Sequence, residues 1–463
     1  MQINTYDQAL DYIFHTIPSQ EVLKFPGATG LERMQTFLAH LGNPDKKYKI
    51  VHIAGTSGKG STSYFTYQAL LSQGLSVGLH VSPHLLDIRE RLQANNNLAS
   101  KREFVTTLKE MLPAIKKTNR QFETGLTYFE VMLGMALQYF ASLNVDYAVV
   151  ETGMGGTYDA SNAMYSKDKL CIITKLGYDH TRILGTDIAS IASHKAGIIH
   201  EGNTVICTDQ QVKALSVVQR RVKDKRGKLL LLGEDFSIAN KKLASNLSAD
   251  KTPRNYFDYS SEDLTLKNIS LSALGDFQIE NCSLAVTAIR ELSRQHHFAL
   301  DGDQLRAFLR DAQFKGRFEV RHNQLNDNFV VIDGAHNSQK VAMLVRSLKR
   351  LFPGEKHHFV LAVKSGKDIE DLLKQITTVA DSIALTSFLR GDQDLKRLSY
   401  EPRELVEILD KLGFTQYEIV PDPKKAVERA VTQQKRNIVI TGSLYLLAEI
   451  YTQLEQMISK ATD

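Results

Sequence analysis

The chain has 463 residues, 43% hydrophobic and 24% charged, which suggests two or three domains of ordinary globular composition. Its 57 basic and 52 acidic residues leave a formal charge of +5, too small and scattered for a nucleic-acid surface but compatible with an anionic substrate. Cys171, Cys207 and Cys282 lie far apart and give neither a disulfide framework nor a CxxC metal pattern, so a reducing, cytoplasmic setting is expected. The acid-bearing start MQINTYDQALDYIFHTI lacks a signal-peptide core, and no apolar run is long enough to span a membrane.

In chain order, β-branched runs alternate with helix-length segments. Strands are predicted over 49–54, 76–80, 146–150, 170–174, 204–207 and 228–232. Such alternation predicts βαβ units in a mostly parallel sheet with helices on both faces. The stretch 240–267 is polar and weakly patterned and reads as loops and short strands. A second series has strands over 329–332, 358–363, 383–386, 417–420 and 437–440, with helices over 338–351, 369–380, 402–412, 424–433 and 444–457. The segment 312–317 joins the two, giving expected domains of 1–311 and 312–463.

The first strand runs into Gly55-Thr56-Ser57-Gly58-Lys59-Gly60-Ser61-Thr62, then a helix. A strand, a glycine turn and a helix N-terminus form an anion site, with inward N–H groups, the helix dipole and the Lys59 charge. Ser61 or Thr62 can reach a phosphate oxygen or magnesium. Ile53 stands where the standard phosphate loop carries its first glycine, so this loop is shorter. The strand ending at 150 delivers Glu151 and then Thr152-Gly153-Met154-Gly155-Gly156; a carboxylate there suits magnesium. Its alternative is a solvated acid. His180 follows the next strand, and Ser82, in Ser82-Pro83-His84, follows the strand over 76–80, all on one expected edge. A lone histidine is more often structural. Lys195 falls in the apolar stripe Ile188, Ile191, Ala192, Ile198, Ile199, where a lysine either snorkels outward or is paired, neutral or modified. In the second series, Asp333-Gly334-Ala335-His336-Asn337 forms another strand-to-helix junction, and Arg317 lies just upstream, suited to closing over a phosphate or to a surface ion pair.

Together these motifs resemble the folylpolyglutamate synthase / dihydrofolate synthase family of the Mur ligase superfamily, over nearly the whole chain and in order. The loop at 55–61 is similar to GTNGKGS, Ser82 to Leu85 to SPHL, Glu90-Arg91-Leu92 to ERI, and ETGMGGTYDASN at 151–162 to ETGLGGRLDATN. Gly177 to His180 resembles GLDH, 194–198 the KAGI segment, QIEN at 278–281 the QxxN motif, 315–317 the end of WPGR, 333–337 DGAHN, and TGSLYL at 441–446 the C-terminal GSLYL. Ser57 replaces the loop asparagine, Thr157-Tyr158 replaces Arg-Leu, and Phe314-Lys315 replaces Trp-Pro.

The resemblance implies a P-loop NTPase-like Mur ligase α/β domain with a mostly parallel sheet, followed by a smaller Rossmann-like α/β domain. It implies ATP held by Lys59 and the loop amides, and Mg2+ held by Ser82, Glu151 and His180. Lys195 would be carbamylated, Asn281, Arg317, Asp333 and His336 would contact ATP, and Thr127, Phe129 and Glu130 would lie near the pterin. The implied activity adds L-glutamate to a folate, to dihydropteroate or to both, through an acyl phosphate, in a monomer without nucleic-acid or membrane partners. The rivals are a cell-wall Mur ligase, disfavoured because no UDP-binding domain precedes the loop; a GTPase switch, disfavoured because no NKxD motif follows; and a nucleotide-binding protein with lost or altered catalysis.

Overall fold

The computed structural model describes residues 3–17, 27–245, 253–365, 369–390 and 397–459. The first unit, 1–240 with 257–269 and 278–310, is built on an eight-stranded sheet. Its order is Asn97–Leu98, Gln93–Ala94, Val77–His80, Tyr147–Glu151, Lys49–Ala54, Leu170–Ile173, Thr204–Cys207, Lys228–Leu231. The last six run parallel, and the first two form an antiparallel edge hairpin. Sequences such as YAVVE and LCII are apolar at nearly every position because helices cover both faces of a parallel sheet. Ala148 and Val150 join one core with Phe37, Phe104, Met132 and Phe140 from the helices Gly27–His40, Lys101–Asn119 and Tyr128–Ser142. Cys171, Ile173, Val205 and Cys207 join another core with Ile188, Ala192, Ala214 and Val218 from the helices Ile188–Ala196 and Val212–Asp224.

The second unit comprises 241–256, 270–277 and 311–463. Its six-stranded sheet has the order Glu319–Asn323, Asn328–Ile332, Ile438–Thr441, His357–Leu361, Ala380–Leu385, Tyr417–Ile419, parallel except for the first pair. Val331, Phe359, Leu361, Ile383 and Val439 pack with Leu344, Leu348, Leu372 and Leu405 from helices. No helix among the described residues is long and apolar enough to cross a membrane.

Three features differ from the sequence reading. The polar stretch 240–267 does carry strands, but longer than the short ones expected: Asn255–Ser261 lies within it, and Phe236–Lys242 and Thr265–Leu271 run into its two ends, each of seven residues. Asn255, Phe257 and Tyr259 are the buried alternates of the second, and a polar residue at one inward position hid the period. The strand Glu319–Asn323 was not anticipated, because both of its fully inward positions, Glu319 and Asn323, are polar. The segments 241–256 and 270–277, expected in the first domain, belong to the second unit.

Candidate active site

Four neighbouring parallel strands end in residues singled out by the sequence. Lys49–Ala54 leads into Gly55, Val77–His80 into Ser82, Tyr147–Glu151 ends on Glu151, and Leu170–Ile173 leads towards Gly177 and His180. The carboxyl ends of parallel strands are the usual binding edge of such sheets.

The loop packs tightly against its neighbour. A Cβ at Gly55 would stand 1.8 Å from Thr174 Oγ1, so only glycine fits. The Thr56 hydroxyl donates to the Gly177 carbonyl (2.9 Å) and accepts from the Gly177 N–H (3.1 Å), tying the loop to the segment that carries His180. The Thr56 and Ser57 amides do not point at a phosphate position: both donate to the Lys175 carbonyl, at 3.0 and 3.1 Å. This corrects the picture of a loop whose N–H groups all face inward. The helix Lys59–Ser72 starts at Gly58, in a left-handed conformation (φ 90°), and the amides of its first turn remain for an anion. The Ser57 and Thr62 hydroxyl oxygens are buried without a hydrogen-bond partner among the described residues.

Two lysines meet at this loop. Lys59 Nζ donates to the Gly55 carbonyl at 3.2 Å, and Lys195 Nζ donates to the same oxygen at 2.8 Å. Lys195 is buried on the apolar face of its helix with Ile188, Ile191 and Ala192, so it does not snorkel to solvent. Burial, and then the Lys195 charge, push the neighbouring His194 below its ordinary pKa. Glu151 is buried; its Oε2 accepts the Ser82 N–H (3.1 Å) and would lie 3.5 Å from a Cβ at Gly60. Ser82 and Glu151 are thus brought together beside the loop. Asn281 Oδ1 would lie 2.3 Å from a Cβ at Gly58, which places the Gln278–Asn281 motif against the loop.

The other residues singled out by the sequence have surroundings of their own. The His180 side chain is 47% exposed and sits 4.0 Å from Asp179. Glu130 is buried in a two-pronged ion pair with Arg33 (2.9 to 3.2 Å) and accepts the Thr127 N–H (2.6 Å), so its oxygens serve the helix start rather than an open surface. Thr127 caps that helix. Phe129 lies against Gly153, where a Cβ would meet its ring at 2.7 Å, so it borders the loop after Glu151. Thr157, which stands where the family has arginine, donates its N–H to the His194 carbonyl (2.8 Å) and directs its hydroxyl there too (3.2 Å).

Glu90, in the sequence only one letter of the ERI-like motif, accepts through its carboxylate the N–H groups of Leu85, Leu86 and Asp87 at 2.7, 2.7 and 2.9 Å. Arg91 Nε donates to His84 Nδ1 at 3.1 Å. Together they set the loop after Ser82. Thr174 and the Lys175 carbonyl, which shape the phosphate loop, carried no sequence signal beyond lying at a strand end.

In the second unit, Asp333 follows the strand Asn328–Ile332 and accepts the Phe318 N–H (2.7 Å) and the Ala335 N–H (2.8 Å). Burial pushes its carboxyl above the ordinary aspartate range, against the pull of Arg317. His336 Nδ1 faces the Gly334 carbonyl (2.8 Å), and its Nε2 lies 3.1 Å from Lys340 Nζ.

Residues 53–289 match the Mur ligase middle domain, and residues 317–453 match the dihydrofolate synthetase C-terminal domain. The chain is 30% identical to a dihydrofolate synthase/folylpolyglutamate synthase of Bacillus subtilis, over 94% of this chain and 96% of that protein. A folylpolyglutamate synthase of Mycobacterium tuberculosis complexed with ADP and AMPPCP superposes with a TM-score of 0.83 at 25% identity, covering 97% of this chain and 99% of the other. An FPGS–AMPPCP–folate complex gives a TM-score of 0.80 at 26% identity, covering 98% of this chain and all of that one (100%). The fold is that of a P-loop NTPase-like Mur ligase domain with a smaller Rossmann-like C-terminal domain, and the chain belongs to the folylpolyglutamate synthase / dihydrofolate synthase family of the Mur ligase superfamily.

Proposed function

We propose that the protein is an ATP-dependent ligase that joins L-glutamate to a folate, to dihydropteroate or to both, through an acyl phosphate. The observation that carries this reading is the convergence of Lys59 and Lys195 on the Gly55 carbonyl, beside buried Glu151 and a Thr62 hydroxyl that has no hydrogen-bond partner among the described residues. Family membership supplies the substrate class.

A substrate carboxylate oxygen attacks the γ-phosphorus of ATP, and ADP leaves. The amine of glutamate then attacks the acyl carbon, and phosphate leaves as the amide forms. The first step needs positioning and charge neutralisation more than covalent help. Lys59 and the first-turn amides would hold the triphosphate. Arg317, Asp333, His336 and Asn281 would complete the nucleotide contacts, Arg317 as the phosphate-facing cation. Thr127, Phe129 and Glu130 would form or support the pterin side, Phe129 as its wall.

Magnesium commonly takes one or two carboxylates and fills its remaining positions with phosphate oxygens and water. A buried carboxylate, a neighbouring serine and a partnerless hydroxyl suit that ion, and no group of three His, Cys, Asp or Glu able to hold a metal occurs among the described residues. Glu151 and Ser82 would hold it, with His180 as the third ligand, and bound magnesium supplies charge neutralisation for the phosphates. Lys195 would be carbamylated: its ammonium gives up one proton to become a free amine, and the nitrogen then adds carbon dioxide and loses a second proton, both going to solvent. The product keeps an N–H for the Gly55 carbonyl and replaces a buried cation with an anion. Three buried free cysteines suit a cytoplasmic enzyme, and a monomer is expected.

The test is ADP release by the purified protein with ATP, magnesium and L-glutamate, adding dihydropteroate or tetrahydrofolate in turn. Release that depends on either acceptor supports the ligase; no release with either, despite ATP binding, rejects it. Glu151→Gln should lower turnover by at least ~10²-fold while nucleotide affinity, measured by calorimetry, stays within about threefold. Near-native turnover in that variant would remove Glu151 from the metal site.

A further inference from the structure

Arg317 sits between two residues in the left-handed region, Gly316 (φ 67°) and Phe318 (φ 50°). A phenylalanine adopts that conformation only where its surroundings impose it, and such positions gather at functional loops. Here the constraint comes from two carboxylates. Phe318 N–H donates to Asp333 Oδ2 (2.7 Å), and Gly316 N–H donates to Glu319 Oε2 (3.0 Å), so the amides on both sides of Arg317 are fixed. The Gly316 carbonyl accepts from Gly334 N–H at 2.9 Å. Asp333 belongs to the nucleotide site read above, whereas Glu319 had no assigned part.

Glu319 is itself held. The hydroxyl of Tyr451, fully buried on the helix Leu444–Ser459, lies 2.8 and 2.7 Å from its two oxygens, and Arg321 Nε donates to Oε1 at 2.7 Å. The same helix grips the loop a second time: Lys315 Nζ lies 5.0 Å from the centre of the Tyr451 ring and 3.2 Å from Glu455. Without the Tyr451 hydroxyl, the Glu319 carboxylate is free to turn fully to Arg321 and release the Gly316 amide. An arginine contributes to phosphoryl transfer only while its fork is held in position, so a loosened loop reduces its effect without changing the arginine.

We propose that Glu319 and Tyr451 are positioning residues that act on ATP through the Arg317 loop, a role that rests on the reading of Arg317 as a phosphate contact.

A double-mutant cycle on the full-length enzyme tests this, with kcat/KM for ATP as the readout and single-turnover assays with labelled ATP for slow variants. Tyr451→Phe and Glu319→Gln should each lower kcat/KM about tenfold in the native background. In an Arg317→Ala background each should lower it less than about twofold, because their route to the phosphate is gone. Thermal unfolding measured alongside should shift equally in both backgrounds, which separates folding from positioning. The same fold-loss in both backgrounds, or no loss in the native one, overturns the proposal. Arg317→Ala alone reports on the underlying reading: if it leaves kcat/KM unchanged, the phosphate role of Arg317 is wrong and the positioning role falls with it.

Discussion

Thr56 and Ser57 are placed by sequence in a phosphate loop, yet their amides are taken by the Lys175 carbonyl from the adjacent strand's extension. A residue's neighbours in the chain give its type of chemistry; its neighbours in space decide whether its polar groups are still available. His357 makes the same point in the second unit. It is fully buried, and neither ring nitrogen has a hydrogen-bond partner among the described residues. Burial holds its pKa down to about 4, from an ordinary 6.5. The unfolded chain takes up this proton near pH 6.5, whereas the folded protein refuses it until about pH 4, so acid favours unfolding. The contribution is intact above that window and is lost as pH falls through it, at ~1.4 kcal/mol per pH unit for one group. His357→Phe should flatten the pH dependence of the urea midpoint between these limits by one proton's worth; an unchanged slope would show that His357 does not titrate this way.

At the scale of elements, the helix Tyr128–Ser142 shows what periodicity conveys and what it omits. Its capping box, Thr127 with Glu130, is legible as T-x-x-E before an apolar run. The partner of that glutamate is not legible: Arg33 lies 97 positions away on the helix Gly27–His40, with side-chain exposures of 0% and 4% for the two residues. Removing only the arginine strands a buried carboxylate, so Arg33→Leu should cost about 3–5 kcal/mol in urea unfolding. Adding Glu130→Gln, which removes the charge but keeps an acceptor for the Thr127 amide, should recover part of that loss. If the double variant is no more stable than Arg33→Leu, the pair is not coupled as described. The strand Glu319–Asn323 was invisible for a related reason, since its inward side chains are polar and find partners such as Tyr451 and Asn328 only in the folded unit.

At the scale of the whole molecule, each unit has its own core, but the second is assembled from three stretches of chain. Leu274 joins its apolar core, and Ala244 and Phe277 pack against it. Asn255 Nδ2 bonds the Ala273 and Gly275 carbonyls at 3.1 and 3.2 Å, holding two of those stretches together. A fragment of residues 312–463, the domain drawn from sequence, lacks these pieces and bares the apolar surface they cover. It should melt broadly by circular dichroism and bind a hydrophobic dye, whereas the intact chain should do neither. A sharp melt without dye binding would mean that the short segments are dispensable.

The sequence by itself determined the parallel α/β architecture, the strand ends that carry Gly55, Glu151 and the Asp333 loop, and the family. These follow from local period, turn residues and short motifs, all written in neighbouring positions. Only the tertiary structure decided which loop amides remain for an anion, that Lys195 turns inward to the Gly55 carbonyl, that Glu130 pairs with Arg33, and that two distant segments complete the second unit. Each is a pairing of polar or apolar groups across long sequence separation, where burial makes an unmet hydrogen bond or charge costly and so selects the partner.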